Sequence, residues 1–222
     1  MANDIVDLGL TSGLLWATKN VGANLMTDYG SYFAWGETVG YGQGISHDFS
    51  ISTYKWYKTT TETTVDNDGN TITTPTVGYT KYIPKGYAAS YGYDGFYDNK
   101  IVLETADDAA AANWGGDWRM PTWAEWNELK SQCTWTWLTL NGVNGYKVES
   151  KTNGNYIFLP AAGRRNDTYL SNAGSNGNYW SSSHYASLPG YAFSLCFSSS
   201  NAYTTNNNRY YGCSVRAVRS AE

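Results

Sequence analysis

The stretch FSLCFSSSNAYTTNNNRYYGCSVRAVR, residues 193–219, is rich in Ser, Asn, Tyr and Thr, yet it carries the pattern of a strand. Phe193, Leu195 and Phe197 alternate with small residues, which is typical of a strand with one buried face. Two valines flank the basic ending of the stretch. We therefore expect this region to fold onto a core and not to serve as a linker.

A second property of this region is the set of residues that it omits. Between Asn166 and Val218 the chain has no Lys, Glu, Gln or Met, and its one Trp is Trp180. One explanation is a polar surface that is uncharged by chance or by habitat. Another lies in the genetic code, because asparagine codons whose adenines are randomised never yield Lys, Glu, Gln, Met or Trp. Tyr, Ser, Gly and Asn also suit a binding surface, since Tyr offers contact area and the small residues adapt their hydrogen bonds.

The overall composition narrows the class of protein. Of the 222 residues 16% are aromatic, which favours a packed globular chain over a disordered one. A net charge of −4 gives no electrostatic reason to bind nucleic acid or an anionic membrane. No apolar run reaches about 18 residues, so we expect no transmembrane helix and no membrane insertion. The start, MANDIVDLGL, lacks the basic and apolar regions of a signal peptide.

The first half of the chain indicates short strands, a hairpin and a loop. Two Thr-rich runs around an Asp-Gly pair predict an exposed hairpin over residues 59–80 with a primed turn. The alternation of Asp66, Asp68 and Asn70 leaves a calcium loop as an alternative. The glycine comes too early for an EF-hand, however, and no Glu follows at the right distance. Residues 81–98 have no clear period and predict a long loop.

The middle of the chain predicts two helices. In TADDAAAANWGG we expect Thr105 as N-cap, acidic residues in the first turn and Gly115 at the stop.

In MPTWAEWNELKSQ, Thr122 and Glu125 form a capping box. Trp123, Trp126 and Leu129 follow at intervals of three, which predicts one apolar face directed to the core.

After Gln132 the chain alternates like strands again. CTWTWLTL predicts one strand, and GYKVESKTNGNYIFLPAAG predicts a hairpin around its Asn-Gly pair. Strands, two helices and then many strands predict one α+β domain with mostly antiparallel sheets and long loops.

Residues with a typical catalytic or metal-binding arrangement are scarce. His47 and His184 have no Cys, Asp or Glu at ligand spacing, so we expect no metal, and no cofactor motif is present. Arg164 and Arg165 could form a small anion site, but such arginines more often make structural hydrogen bonds or charge pairs. The cysteines fit neither a disulfide framework nor a metal site. They are Cys133, Cys196 and Cys213.

Several motifs in this order resemble a known family. VDLGLTSGLLWATKNVG, DYGSYFAWGE, WGGDWRMPTWAEWNEL, YWSSS and GCSVRAVR together resemble the Fibrobacter succinogenes major paralogous domain, common in gut Bacteroidetes. The resemblance implies a single C-type-lectin-like domain over residues 1–222, with an inserted loop and hairpin at about 41–98. The ending looks like the variable region, here about 164–216, of a protein diversified by a retroelement through adenine-directed mutagenesis. One departure is Cys213, where the family ending usually has Phe.

The resemblance also implies which positions are fixed and which vary. Leu195 and Phe197 fit inward strand positions. The fixed scaffold would include Trp180, Ser181, Ser182, Ser183, Gly212, Ser214, Val215 and Arg216. The varied, ligand-facing positions would be Tyr169, Ser171, His184, Tyr185, Ser187, Leu188, Tyr191, Ser194, Cys196, Ser198, Ser199, Tyr203, Thr204, Thr205, Tyr210 and Tyr211.

The function expected from the resemblance is non-covalent binding, without catalysis, of a protein or glycan on another cell or phage. The implied location is a bacterial cell surface or a phage tail. A non-diversified adhesin or carbohydrate-binding module is the first alternative. The second is an enzyme, since WRMPTWAEW also resembles a segment of formylglycine-generating enzymes. The chain lacks their paired-cysteine context, and it lacks the EPN, QPD and WND motifs of calcium-dependent lectins.

Overall fold

A computed structural model describes residues 5–41, 43, 48–86 and 97–221. His47 and part of the loop expected at 81–98 lie outside the described residues. The described part is a mixed α+β fold with many antiparallel strands and few helices, as predicted.

The helices are α1 (Ala109–Trp114) and α2 (Trp123–Gln132), and a 3-10 turn (Thr105–Asp107) precedes α1. The strands are β1 (Ile5–Asp7), β2 (Leu15–Asn20), β3 (Tyr57–Val65), β4 (Thr71–Tyr79), β5 (Cys133–Leu140), β6 (Val143–Ser150), β7 (Tyr156–Pro160), β8 (Arg164–Asn166), β9 (Tyr169–Ser171), β10 (Asn176–His184), β11 (Tyr191–Ser198), β12 (Asn201–Asn208) and β13 (Arg216–Arg219).

Three small antiparallel sheets surround the core. Their strand orders are β1-β2-β13, β5-β6-β7 and β10-β11-β12, and β3-β4 and β8-β9 form separate hairpins. The first sheet pairs both ends of the described chain, with Val218 of β13 opposite Trp16 of β2. Helix α2 packs on β10, β11 and β12. Neither described helix is long and apolar enough to cross a bilayer.

The core consists of buried aromatic and aliphatic side chains contributed by all three sheets. The largest cluster joins Trp16 of β2, Trp126 of α2, Val148 of β6 and Leu195 of β11. The indole N–H of Trp126 donates to the carbonyl of Trp180 at 3.1 Å, which fixes α2 on β10. Burying large rings that keep a hydrogen bond for their polar atom is favourable on both counts.

Helix α2 begins as the sequence predicts. The Thr122 hydroxyl accepts from the backbone N–H of Glu125, and the Glu125 carboxylate accepts from the backbone N–H of Thr122, so the capping box is present. Trp126 and Leu129 are fully buried. The expectation for Trp123 was wrong, because 42% of this residue is exposed. Trp123 is the first residue of the helix, and its ring lies against Phe193 at the rim of the sheet.

Helix α1 begins three residues later than predicted. The N-cap is Asp108 and not Thr105, because the Asp108 carboxylate accepts from the backbone N–H groups of Ala110 and Ala111. Its second oxygen accepts from the N–H of Met120 at 2.8 Å, which ties the helix start to the next segment. The predicted stop is confirmed, with Gly115 as C-cap at φ +67°.

The Thr-rich hairpin forms, but its turn differs from the prediction. Strands β3 and β4 pair in register from Tyr57 opposite Tyr79 to Val65 opposite Thr71. Both primed turns need positive φ at the first central residue, here Asp68, but only Gly69 of this pair has a positive φ, of +82°.

The carboxylate of Asp66 accepts from the backbone N–H groups of Asp68 and Asn70 at 2.9 and 2.8 Å. These hydrogen bonds, led by that of Asn70, lower the pKa of Asp66. The described residues contain no group of three potential ligands placed to hold a metal ion. The loop at 66–70 therefore uses its carboxylate to stabilise its own turn.

Candidate functional site: two surfaces of the C-terminal sheet

The hairpin of β11 and β12 separates its residues onto two faces of the sheet. Its register places Leu195 opposite Thr204 and Cys196 opposite Tyr203. Because side chains alternate along a strand, Leu195 and Thr204 share one face and Cys196 and Tyr203 share the other. Leu195 and Phe197 are buried, which confirms both as inward positions. Thr204 donates to the Asn127 side chain of α2, so the helix covers this face.

The opposite face of the hairpin is polar, and we call it the polar face. Its residues are Ser194, Cys196, Ser198, Asn201, Tyr203, Thr205 and Asn207. The outer end of this face is open to solvent, since Tyr203 is 45% exposed, but Ser194, Cys196 and Asn207 are buried. The polar face therefore has an accessible rim and an interior that is closed by neighbouring segments.

A hydrogen-bond network fills the interior of the polar face. The amide of Asn207 donates to the Ser194 hydroxyl at 2.9 Å and to the Cys196 sulfur at 3.4 Å. The Cys196 thiol donates to the Asn178 side chain at 3.1 Å. Arg164 donates to the Asn207 side chain at 3.0 Å. Buried polar groups that are paired in this way hold one arrangement, because breaking any pair leaves a buried group unsatisfied.

Arg164 borders the polar face without an acidic partner. Its guanidinium lies 4.6 Å from the centre of the Tyr211 ring, a cation–π contact. Among the described residues, no carboxylate lies within 4.0 Å of its nitrogens, and its Nε has no hydrogen-bond partner. Arg164 therefore places an uncompensated positive charge beside uncharged hydroxyl and amide groups.

The second surface is a cleft between the start of α2 and the segment after β10, and we call it the aromatic cleft. It measures about 500 Å³, within the range of about 300–1,000 Å³ that is usual for ligand pockets. The Phe193 ring lies 5.2 Å from Trp123 and 5.1 Å from Tyr185. Val102, Ser187 and His184 also line the cleft, and none of its lining residues in the described part of the chain is an acid, a lysine or an arginine.

His184 lines the aromatic cleft from its buried side. Only 3% of the residue is exposed, and its Nε2 lies 3.1 Å from the carbonyl of Pro189. Burial first, and then the nearby Arg209 cation, lower the pKa of His184 to about 4. The ring is therefore neutral at pH 7. Because a carbonyl can only accept, Nε2 carries the proton, and Nδ1, which has no hydrogen-bond partner among the described residues, is an acceptor.

The sixteen positions expected to face a ligand divide into three groups by exposure. The exposed residues are Tyr169, Ser187, Leu188, Ser199 and Tyr203. The half-buried residues are Ser171, Tyr185, Tyr191, Ser198, Thr204, Thr205, Tyr210 and Tyr211. The buried residues are His184, Ser194 and Cys196.

The structure corrects the ligand-facing expectation at four of these positions, three of them by burial. Ser194 and Cys196 bond to Asn207 inside the network, so their side chains support the rim and do not reach its surface. His184 borders the cleft with most of its ring enclosed. Thr204 faces α2, on the side opposite the polar face.

The residues expected to form the fixed scaffold lie in the interior. Trp180, Val215 and Arg216 are fully buried. The Arg216 guanidinium donates to the Asn20 side chain at 3.0 and 2.8 Å and to the carbonyls of Ala17 and Phe158. Ser181, Ser182, Gly212 and Ser214 are also buried, and Ser183 is half-buried.

Two residues of these surfaces were missed by sequence reasoning. Trp123 was expected in the core, and Phe193 was noted only for its strand alternation. A capping box gives the signal that could have found Trp123, because it places this residue at the first position of the helix and not in its middle. The position of Phe193 next to it depends on the packing of α2 on β11, which no local pattern reveals.

The three cysteines are buried and unpaired. Burial raises the pKa of the Cys133 thiol to about 11 and also raises the pKa values of Cys196 and Cys213. All three thiols are therefore protonated at neutral pH, the form in which a thiol is a poor nucleophile.

Comparison of the chain with protein-family models, with curated proteins and with solved structures found no match.

Proposed function

We propose that this chain is a ligand-binding protein in which a fixed C-type-lectin-like scaffold displays a diversified surface. One observation carries the proposal: the β11–β12 hairpin combines a buried apolar row with an opposite row of Ser, Asn, Tyr and Thr. Such a hairpin tolerates change at the exposed rim of its polar face, because its apolar packing energy resides on the other face. The diversified surface would be the rim of the polar face together with the exposed tyrosines near it.

The residue types at this rim support recognition of a protein or glycan on another cell or a phage. Tyr203 and the half-buried Tyr211 supply aromatic contact area. Arg164 supplies a cation without an acidic partner among the described residues. A few aromatic or arginine anchors surrounded by small polar groups are typical of binding surfaces.

The experiment that tests this proposal is sequencing of the 3′ end of the gene across a population of its source organism. We expect variation at codons of the exposed rim, such as Ser198, Tyr203 and Thr205, with adenine as the substituted base in a nearby template copy. The codons of Leu195 and Phe197 are the internal control, and they should stay constant because both side chains are buried. A uniform 3′ end, or variation that also spans these two codons, would contradict the proposal.

A non-diversified carbohydrate-binding module is the second candidate function, and the aromatic cleft favours it. An exposed ring such as Trp123 can stack on the apolar face of a sugar. An enzyme of the formylglycine-generating type has less support, because the described cysteines are buried and have raised pKa values.

A further inference from the structure

The aromatic cleft combines an apolar platform with uncharged polar groups. Trp123 is 42% exposed although most tryptophans of this chain are buried or half-buried. Phe193 supports it from below at 5.2 Å, with the two ring planes inclined by 34°. Tyr185 meets Phe193 edge to face, with an angle of 89° between the rings. These contacts hold the Trp123 ring in place while leaving part of it open to the cleft.

Polar groups border this platform and can bond a ligand. The Ser183 hydroxyl accepts from the backbone N–H of Trp123 at 3.0 Å and keeps its own proton to donate. Ser187 is exposed and adds a second hydroxyl. His184 lines the cleft as well, but its Nδ1 is buried and does not reach a ligand there.

The charge of the cleft selects among ligands. The described residues that line it include no acid, lysine or arginine. Glu125, one turn into α2, is engaged by Arg119 through two hydrogen bonds of 2.8 and 2.7 Å. An ionic ligand would lose hydration in the cleft without gaining a charged partner, so the cleft favours a neutral ligand.

We propose that the aromatic cleft binds one ring of a neutral sugar, independently of calcium, with the apolar face of the ring stacked on Trp123. The hydroxyls of the sugar would bond to Ser183 and Ser187. A pyranose suits this arrangement because it has a flat C–H face and a rim of hydroxyls that both donate and accept. The site rests on the cleft alone and does not require that the polar face be diversified.

Isothermal titration of the full chain with neutral disaccharides tests this site. The probes are cellobiose, mannobiose and N,N′-diacetylchitobiose, with digalacturonate as the acidic comparison and N-acetyl-tryptophanamide as the aromatic one. We expect at least one neutral disaccharide to bind at millimolar concentration or better. Because the described lining of the cleft contains no carboxylate, EDTA should leave this binding unchanged.

Substitutions test whether the disaccharide binds in the aromatic cleft. Trp123→Ala should raise Kd roughly tenfold, and Trp123→Phe should raise it less, because a smaller ring still stacks. Ser187→Trp should block the cleft without removing any core contact, since Ser187 is exposed. Tyr203→Ala, on the polar face, is the matched control and should leave Kd unchanged. Thermal melting of each variant separates lost binding from lost folding.

Four outcomes would overturn the proposal. They are no binding of any neutral probe, stronger binding of digalacturonate or of the tryptophan amide, loss of binding in EDTA, and binding that persists in both Trp123→Ala and Ser187→Trp. None of these outcomes bears on the proposed diversification of the polar face, which the sequencing experiment tests separately.

Discussion

Two hairpins of this protein have similar polar compositions, but one is largely exposed and the other packs on the core. Strands β3 and β4 are rich in Thr, and strands β11 and β12 are rich in Ser, Asn, Tyr and Thr. In the first hairpin the apolar residues Val65 and Ile72 are 67% and 47% exposed. In the second, Leu195 and Phe197 are buried. A polar amino-acid composition therefore does not decide whether a hairpin packs on the core.

The difference lies in what covers each hairpin. Helix α2 packs on β11 and β12, and Phe197 stacks on Tyr179 of β10 at 5.8 Å. Strands β3 and β4 pair mainly with each other, and among their described side chains Tyr79 and Tyr57, at the base, reach a core cluster. Large apolar residues on one face give a hairpin something to bury, and a helix gives it a partner.

The largest expected effect that tests this comparison is the loss of an inward ring from the second hairpin. Phe197→Ala should lower the free energy of unfolding by about 3–5 kcal/mol, because it leaves a cavity beside Tyr146 and Tyr179. Val65→Ala is the matched control on the first hairpin and should cost less than about 0.5 kcal/mol. Urea denaturation measures the free energy of unfolding of both variants. Similar losses for the two would contradict the view that only the second hairpin packs on the core.

Acid should also distinguish the first hairpin from the sheet that holds the second, because His184 ends strand β10 of that sheet. In the unfolded chain His184 binds a proton as the pH falls through 6.5, whereas in the folded protein its pKa is about 4. The unfolded state binds more protons between these values, so stability is full above pH 6.5 and falls toward pH 4, by at most about 3 kcal/mol.

Urea denaturation between pH 4 and 7 measures this fall, and His184→Gln should remove that part of it. Asp66, in the turn of the first hairpin, also has a lowered pKa, but it is exposed to screening solvent. Asp66→Asn should therefore change the profile far less than His184→Gln. A larger change for Asp66→Asn would mean that His184 is not buried as described.

Close packing in the second hairpin predicts a steric effect of intermediate size. A Cβ added at Gly177 of β10 would overlap the Phe197 ring. Gly177→Ala should therefore cost about 1–3 kcal/mol, the range for overpacking a core. Gly174→Ala is a control for backbone strain alone, because Gly174 has φ +81° and no atom within 4 Å of its added Cβ. Differential scanning calorimetry measures both, and an unchanged melting temperature for Gly177→Ala would contradict the packing described.

The smallest expected effect is the removal of most of the first hairpin. Residues 59–77 can be replaced by Asn-Gly, because Lys58 and Gly78 are already paired in register and a two-residue primed turn can join them. The free energy of unfolding should change by less than about 1 kcal/mol, since surface changes away from core contacts are nearly neutral. Disaccharide binding by the aromatic cleft should also persist. Unfolding of the shortened protein at 25 °C would show that the hairpin supports the core.

Much of the fold could be predicted because it follows from neighbouring residues. The capping box at Thr122, the glycine stop of α1 and the inward positions Leu195 and Phe197 are local patterns, and all appear as predicted. Turn details were harder to predict. Asp-Gly pairs fit several hairpin turns, and at Gly69 the Asp66 carboxylate selects a turn with a single positive φ.

The candidate site could be predicted only in part. The alternation of β11 places Ser194 and Cys196 on the outward face, but it does not show that Asn207 and Arg164 enclose them. Arg164 arrives from β8, more than twenty residues away in sequence. Exposure depends on such distant segments, so a strand pattern gives the face of a residue and not its accessibility.

The sequence by itself determined the α+β layout, the helix caps and the apolar row of the last hairpin, because these depend on residues a few positions apart. Only the tertiary structure decided that Trp123 is open to solvent and that His184 lies enclosed beside it. Both outcomes depend on how α2 sits on β10 and β11. Packing between distant segments is settled by shape and by the burial of the whole core, which no short stretch of sequence contains.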